Sequence, residues 1–262
     1  MRKSIVTTFV SRGAGVAIAC AAICLLCTNG LTWAQSQRAT MTYASMAPAE
    51  GYLMDRDEEI ALARSAAPKS VSQDATVLVL GRQGYQTAVE GKNGFVCMVE
   101  RGWNAAFDWP EFWNPKIRGA DCLNPPAARA LLPLVKLRAE LVMAGRSQEE
   151  IIAGVKSALA ARQMPALGSG AMAYMMARGS YLTDAGEHNG PHLMFFIPVS
   201  QAATWGADLP GSPVMSSSYW FFSPKAGGNT DGLPPLRVFI VGVGWWSDGA
   251  TAPPHSLHHE LP

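Results

Sequence analysis

The sequence predicts an α+β fold, an antiparallel sheet with an antiparallel pair of helices packed on one face. Three observations lead there. Short β-rich runs separated by glycine turns occupy residues 76–101, two helix-period segments joined by a short link occupy 124–161, and short apolar runs broken by Gly, Pro, Asn and Asp return after Met164. A run of strands, a helix pair and further strands lack the regular alternation of doubly wound folds, so the helices group together on an antiparallel sheet.

Gln35 to Leu53 is small, polar and without period, which reads as a loose lead-in. Asp55 to Ala66 opens with acids, places Ile60, Leu62 and Ala63 on one side and stops before Pro68, as a short helix does. Thr76–Leu80, Tyr85–Glu90 and Phe95–Arg101 are strand runs, and Gly91-Lys92-Asn93-Gly94 between the last two carries a hairpin signal, so a three-stranded meander is expected. Trp103 to Pro115 holds five aromatics and two prolines, which forbid a long helix or an interior strand. It is read as irregular.

Asn124 with Pro125 and Pro126 opens a helix that runs to Ala144, where Gly145 supplies the stop. Ser147 with Glu150 forms a capping box, and Ile151, Ile152, Val155 and Leu159 repeat at helical spacing through Ala161. Ala171–Ala177, His192–Val199, Tyr219–Phe222 and Arg237–Val243 are the later strands; the first is read as a strand on length although its Ala and Met favour a helix. Ser200–Gly206 suits one capped helical turn. One domain is expected over 55–249, with Met164–Gly170 as the best candidate for a subdivision and 250–262 as a loose tail.

Composition narrows the function classes. With 48% hydrophobic and 16% charged residues the chain is too apolar for disorder and too interrupted for multiple membrane spans. A net charge of +1 with no dense basic run speaks against a nucleic-acid partner.

Arg2, Lys3 and Arg12 precede an apolar run from Gly13 to Leu26, and Leu31-Thr32-Trp33-Ala34 ends in the small-residue pattern of a cleavage site. This reads as a secretory signal peptide cut after Ala34, giving a periplasmic or secreted protein with no membrane span; an uncleaved anchor is the alternative. Cleavage removes Cys20, Cys24 and Cys27 and leaves Cys97 and Cys122 in an oxidising compartment, where a disulfide between them is expected; two buried thiols are the alternative.

Candidate chemistry is sparse. His188 and His192 are four apart, but Asn189-Gly190-Pro191 between them excludes a helical metal motif. A loop could still bring His188, His192 and Asp248 to a divalent ion, with Asp184 and Glu187 adding oxygens, as a metal-assisted hydrolase would need. His255, His258 and His259 read as a solvated tail. No serine carries the nucleophile-elbow glycines, and Gly81-Arg82-Gln83-Gly84 is too short to cradle phosphate.

Trp109 and Trp113, with Asp108 or Glu111 beside them, form either a binding platform or a cover for the sheet. Trp245-Trp246-Ser247-Asp248 has the same two readings. The ligand-binding candidates are therefore Trp109, Trp113, His188, His192, Trp245 and Asp248, for a small molecule or an envelope component. A composite site is expected where the loop 179–191 meets 245–248.

The strings GYQTAVEGKNGFVCMVERGW, CLNPPA, AYMMA and PHLMFF together resemble a set of exported bacterial proteins of unknown function, over roughly Asp55 to Gly249. The resemblance implies an envelope or secreted location and no activity.

Overall fold

A computed structural model describes residues 43–107, 109–161, 165–184, 190–198, 201, 204–207, 209–212, 214–218 and 236–253. Helix α1 (Arg56–Arg64) begins where the acids predict: Asp55 Oδ1 accepts from the Asp57 and Glu58 amides, and Asp57, Glu58 and Glu59 fill the first turn. A single turn, α2 (Lys69–Ser72), follows Pro68.

Eight strands then form one sheet: β1 (Thr76–Gly81), β2 (Gly84–Val89), β3 (Val96–Glu100), β4 (Gly119–Leu123), β5 (Met172–Met175), β6 (His192–Pro198), β7 (Val214–Ser218) and β8 (Leu236–Gly242). Their order is β2-β1-β3-β4-β5-β6-β8-β7. Every neighbouring pair is antiparallel except β1 and β3, which makes the sheet mixed.

That parallel pair corrects the expected meander. β2 folds back on one edge of β1, and the chain then crosses the start of β1 to lay β3 along the other edge. Lys92 and Asn93 donate their amides to Asp74 O at 2.9 and 3.3 Å as they cross. A Cβ on Gly91 would lie 2.1 Å from the Thr76 nitrogen, so glycine is required there. The Gly91–Gly94 stretch that reads as a hairpin turn is thus a crossover.

Asn124 Oδ1 accepts from the Ala127 amide to cap α3 (Pro125–Met143), whose first turn holds both prolines. Gly145, with φ 72°, ends it. Ser147 and Glu150 make the expected capping box at α4 (Gln148–Ala160), which packs on α3. Strand β5 confirms the strand reading of 171–177. The run 219–222 lies outside the described residues, and β7 sits just before it.

Alternation along the strands sorts the core into two layers. Leu78, Leu80, Met98 and Leu123 join Leu131, Leu134 and Val135 of α3 and Ile151 of α4. Val77, Cys97, Val99 and Ala120 meet Ala63 of α1 on the other face. The α3–α4 pair covers one face and α1 adds cover on the other, because a short strand such as β1, buried at four successive positions, cannot leave either side open. Each fully buried Leu or Val of α3 contributes roughly 1.5–3 kcal/mol.

Cys97 and Cys122 are bonded, facing each other across β3 and β4 on the α1 side. Next to them, β4 and β5 pair only at Cys122↔Tyr174 and Leu123↔Ala173. Farther along, Ser180 Oγ accepts from the Ala120 amide, and Arg118 and Tyr181 exchange backbone hydrogen bonds. Among the described residues no helix is long and apolar enough to cross a membrane.

Candidate functional site

The aromatic segment after β3 is mostly core. Trp103, Phe107, Phe112 and Trp113 are buried, while Trp109 is half-buried. Tyr52 meets Trp103 edge-on at 4.5 Å and donates its hydroxyl to Trp113 O at 2.9 Å, and Phe112 meets Trp113 edge-on at 4.6 Å. Tyr52 comes from the stretch expected to be a loose lead-in; a lone aromatic gives no period by which sequence could place it. Trp113, at 7% exposure, offers no platform to a ligand. Asp108 lies outside the described residues.

The histidine loop splits. Residues 185–189, with Glu187 and His188, lie outside the described residues. His192 begins β6 and is buried, with Nδ1 2.8 Å from Gly190 O, so the neutral ring carries its proton on Nδ1. Burial holds its pKa below the ordinary value, the Gly190 contact pulling the other way.

Asp184 turns toward the segment after the aromatic run: it accepts from Tyr181 at 2.5 Å, from Tyr43, and from Lys116 at 3.0 Å. The Tyr181 and Tyr43 hydroxyls, then Lys116, hold its carboxyl well below the usual range. Among the described residues no three His, Cys, Asp or Glu side chains stand together as a metal site.

The turn 245–248 docks beside the loop's two ends. Arg178 pairs with Asp248 at 3.2 Å and lies 6.0 Å from the Trp246 ring, Ser247 N donates to Met176 O, and Val243 N donates to Pro191 O. Trp246 is buried; Trp245 is 56% exposed.

A hollow lies at the other end of β6. Leu167, Ser169, Phe195, Ile197, Gln201 and Trp205 are among the residues lining a cleft of about 350 Å³. Trp205, 40% exposed, rests 5.8 Å from the Phe195 ring and 5.3 Å from the Phe239 ring, so its plane is held by two neighbours while part of it faces solvent. No described residue lining the cleft is charged. Sequence reading missed Trp205 because it sits in the short turn after β6, outside any aromatic run. A second hollow, along Arg82 to Gln86, is lined by one stretch of chain and has no opposing wall.

A polar group lies in the interior. Glu100 of β3 and Asp121 of β4 share the face that α3 covers, as the Met98↔Asp121 pairing and alternation require. Asp121 and Arg138 of α3 are fully buried there, Glu100 is half-buried, and Arg138 donates to Ala105 O at 2.9 Å. Burial, then the Asp121 charge, raise the Glu100 pKa well above the ordinary value, with Arg138 opposing; burial raises that of Asp121 to about 7. The legible signal was Arg138, which stands on the apolar stripe of α3 with Leu131, Leu134, Val135 and Val142.

The chain matches no protein-family model, no curated protein and no solved structure.

Proposed function

We propose that this is an exported, non-catalytic binding domain that takes a small, uncharged ligand with a flat face in the Trp205 cleft. The observation that carries the reading is a solvent-facing tryptophan fixed in plane above a hollow of about 350 Å³, within the size range of small-molecule sites. An indole face held by Phe195 and Phe239 loses little freedom on stacking, which favours a flat apolar ligand surface. Ser169 and Gln201 supply neutral hydrogen-bonding groups at the edge. The described lining residues offer no counter-ion, so a charged ligand would lose hydration to them without compensation.

Export rests on the charged start, the apolar run and the small residues ending at Ala34, and the Cys97–Cys122 bond fits an oxidising compartment. The resemblance to exported bacterial proteins of unknown function agrees. N-terminal sequencing of protein from its native host should find Gln35 first; recovery of an intact Met1 form only would defeat this part.

Indole, small, flat and neutral, is the probe for the cleft. Titrated into isotope-labelled protein, it should shift the Trp205 and Phe195 resonances saturably. Trp205→Ala should abolish the response and Trp245→Ala, outside the cleft, should leave it intact. Absence of saturable shifts, or equal loss in both variants, would overturn the assignment.

A further inference from the structure

We infer that the Glu100–Asp121 carboxyl pair retains a proton at neutral pH and acts as an alkaline-sensitive latch between the sheet and α3. Its release to solvent leaves a second carboxylate where three of the pair's four oxygens are sealed from water.

Geometry carries the inference. β3 and β4 are adjacent, and Met98↔Asp121 with Glu100↔Gly119 puts the two carboxyls on one face, one step apart along the strands. Gly119, opposite Glu100, has no side chain to separate them. Asp121 is 0% exposed, and Glu100 Oε1 and both Asp121 side-chain oxygens are sealed from solvent without a hydrogen-bond partner among the described residues. An ionised carboxylate so placed is costly, whereas a protonated one is not.

The surrounding elements offer little compensating charge. From α3 comes Arg138, partly engaged by Ala105 O and lying 4.3 Å from the Phe107 ring. β2 contributes Tyr85, whose hydroxyl donates to Val99 O and whose pKa burial pushes up. Glu59 of α1 and Arg101 after β3 neutralise each other as an ion pair. The 102–104 turn brings Trp103 and Asn104, which do not titrate, and on β5 Tyr174 packs with the disulfide cluster on the opposite face. The one arginine on this face, acting on Glu100, accounts for one negative charge; the second is removed by a proton.

The sign follows from linkage. Carboxyls that bind a proton more tightly when folded stabilise the fold below their unfolded pKa, near 4, and lose that contribution as pH rises through the folded value. The latch therefore holds in acid and weakens through neutrality. His192 works oppositely, because burial lowers its pKa, so the test compares variants and not pH values alone.

Denaturant unfolding of the full chain at about pH 5 and about pH 9 provides the test. The wild-type unfolding constant should rise at least about tenfold at the higher pH, and Asp121→Asn should cut that ratio to within about threefold. An unchanged ratio in Asp121→Asn overturns the latch. If the variant does not fold, infrared difference spectra of the wild type decide: a buried carboxylic-acid carbonyl band should be present at about pH 6 and bleach by about pH 9. Its absence at the lower pH would also overturn the proposal.

Discussion

Glu59 and Arg101 form an ion pair 2.8 Å apart, with side chains 1% and 0% exposed, between α1 and the end of β3. Glu59 Oε1 also accepts from the Leu80 amide at 3.2 Å, and Arg101 Nε donates to Tyr52 O at 2.8 Å while another guanidinium nitrogen reaches Val99 O. Two side chains thereby connect the segment before α1, α1 itself, β1 and β3. Glu59→Ala strands a buried guanidinium and should cost roughly 3–5 kcal/mol in urea unfolding. Pairing Glu59→Leu with Arg101→Met should cost less than Glu59→Ala alone, because no unpaired charge is left.

Cys97 and Cys122 should resist alkylation until reduced, and intact mass should then rise by two hydrogens. Replacing both with Ala should lower stability by roughly 3.5 kcal/mol, from loop-closure entropy over the 25-residue separation. Two thiols alkylated without reductant would contradict the bond.

Gly91→Ala should be among the most damaging single changes, costing about 3 kcal/mol or more, because the new Cβ meets backbone that cannot move without shifting β1. Gly145→Ala, in open space but at φ 72°, should cost only about 1 kcal/mol. Thermal unfolding of the two variants side by side checks the ranking.

His192 should titrate below the ordinary histidine range in an NMR pH series, since burial disfavours the imidazolium. Between that lowered pKa and about 6.5 the unfolded chain binds the extra proton, so stability falls as pH drops through the window. His192→Gln should reduce this acid-side loss.

Much of the fold was legible. The caps at Asp55, Asn124 and Ser147 are local, decided by residues within a turn of one another, and each starts a helix as read. Strand neighbours were not legible, since the Gly91–Gly94 string serves a hairpin and a crossover equally well and only the contact with Thr76 separates them. β4 was missed because Gly119-Ala120-Asp121-Cys122-Leu123 is short and contains an acid, yet every residue of it is buried. The cleft escaped for a similar reason: Phe195, Trp205 and Phe239 come from separate stretches of chain and meet only in three dimensions.

The two-residue ladder between β4 and β5 divides the sheet into sequence-contiguous halves, β2-β1-β3-β4 and β5-β6-β8-β7. Amide exchange should expose this as two protection classes. β3 is held to β4 by a covalent bond and five paired residues, so the first half should resist opening, while β5 through β8 should open together at lower free energy. Since Phe195, Phe239 and the Ala171 end of the cleft all belong to the second half, a ligand bound there should slow exchange in β5, β6 and β8 and leave β1 to β4 unaffected.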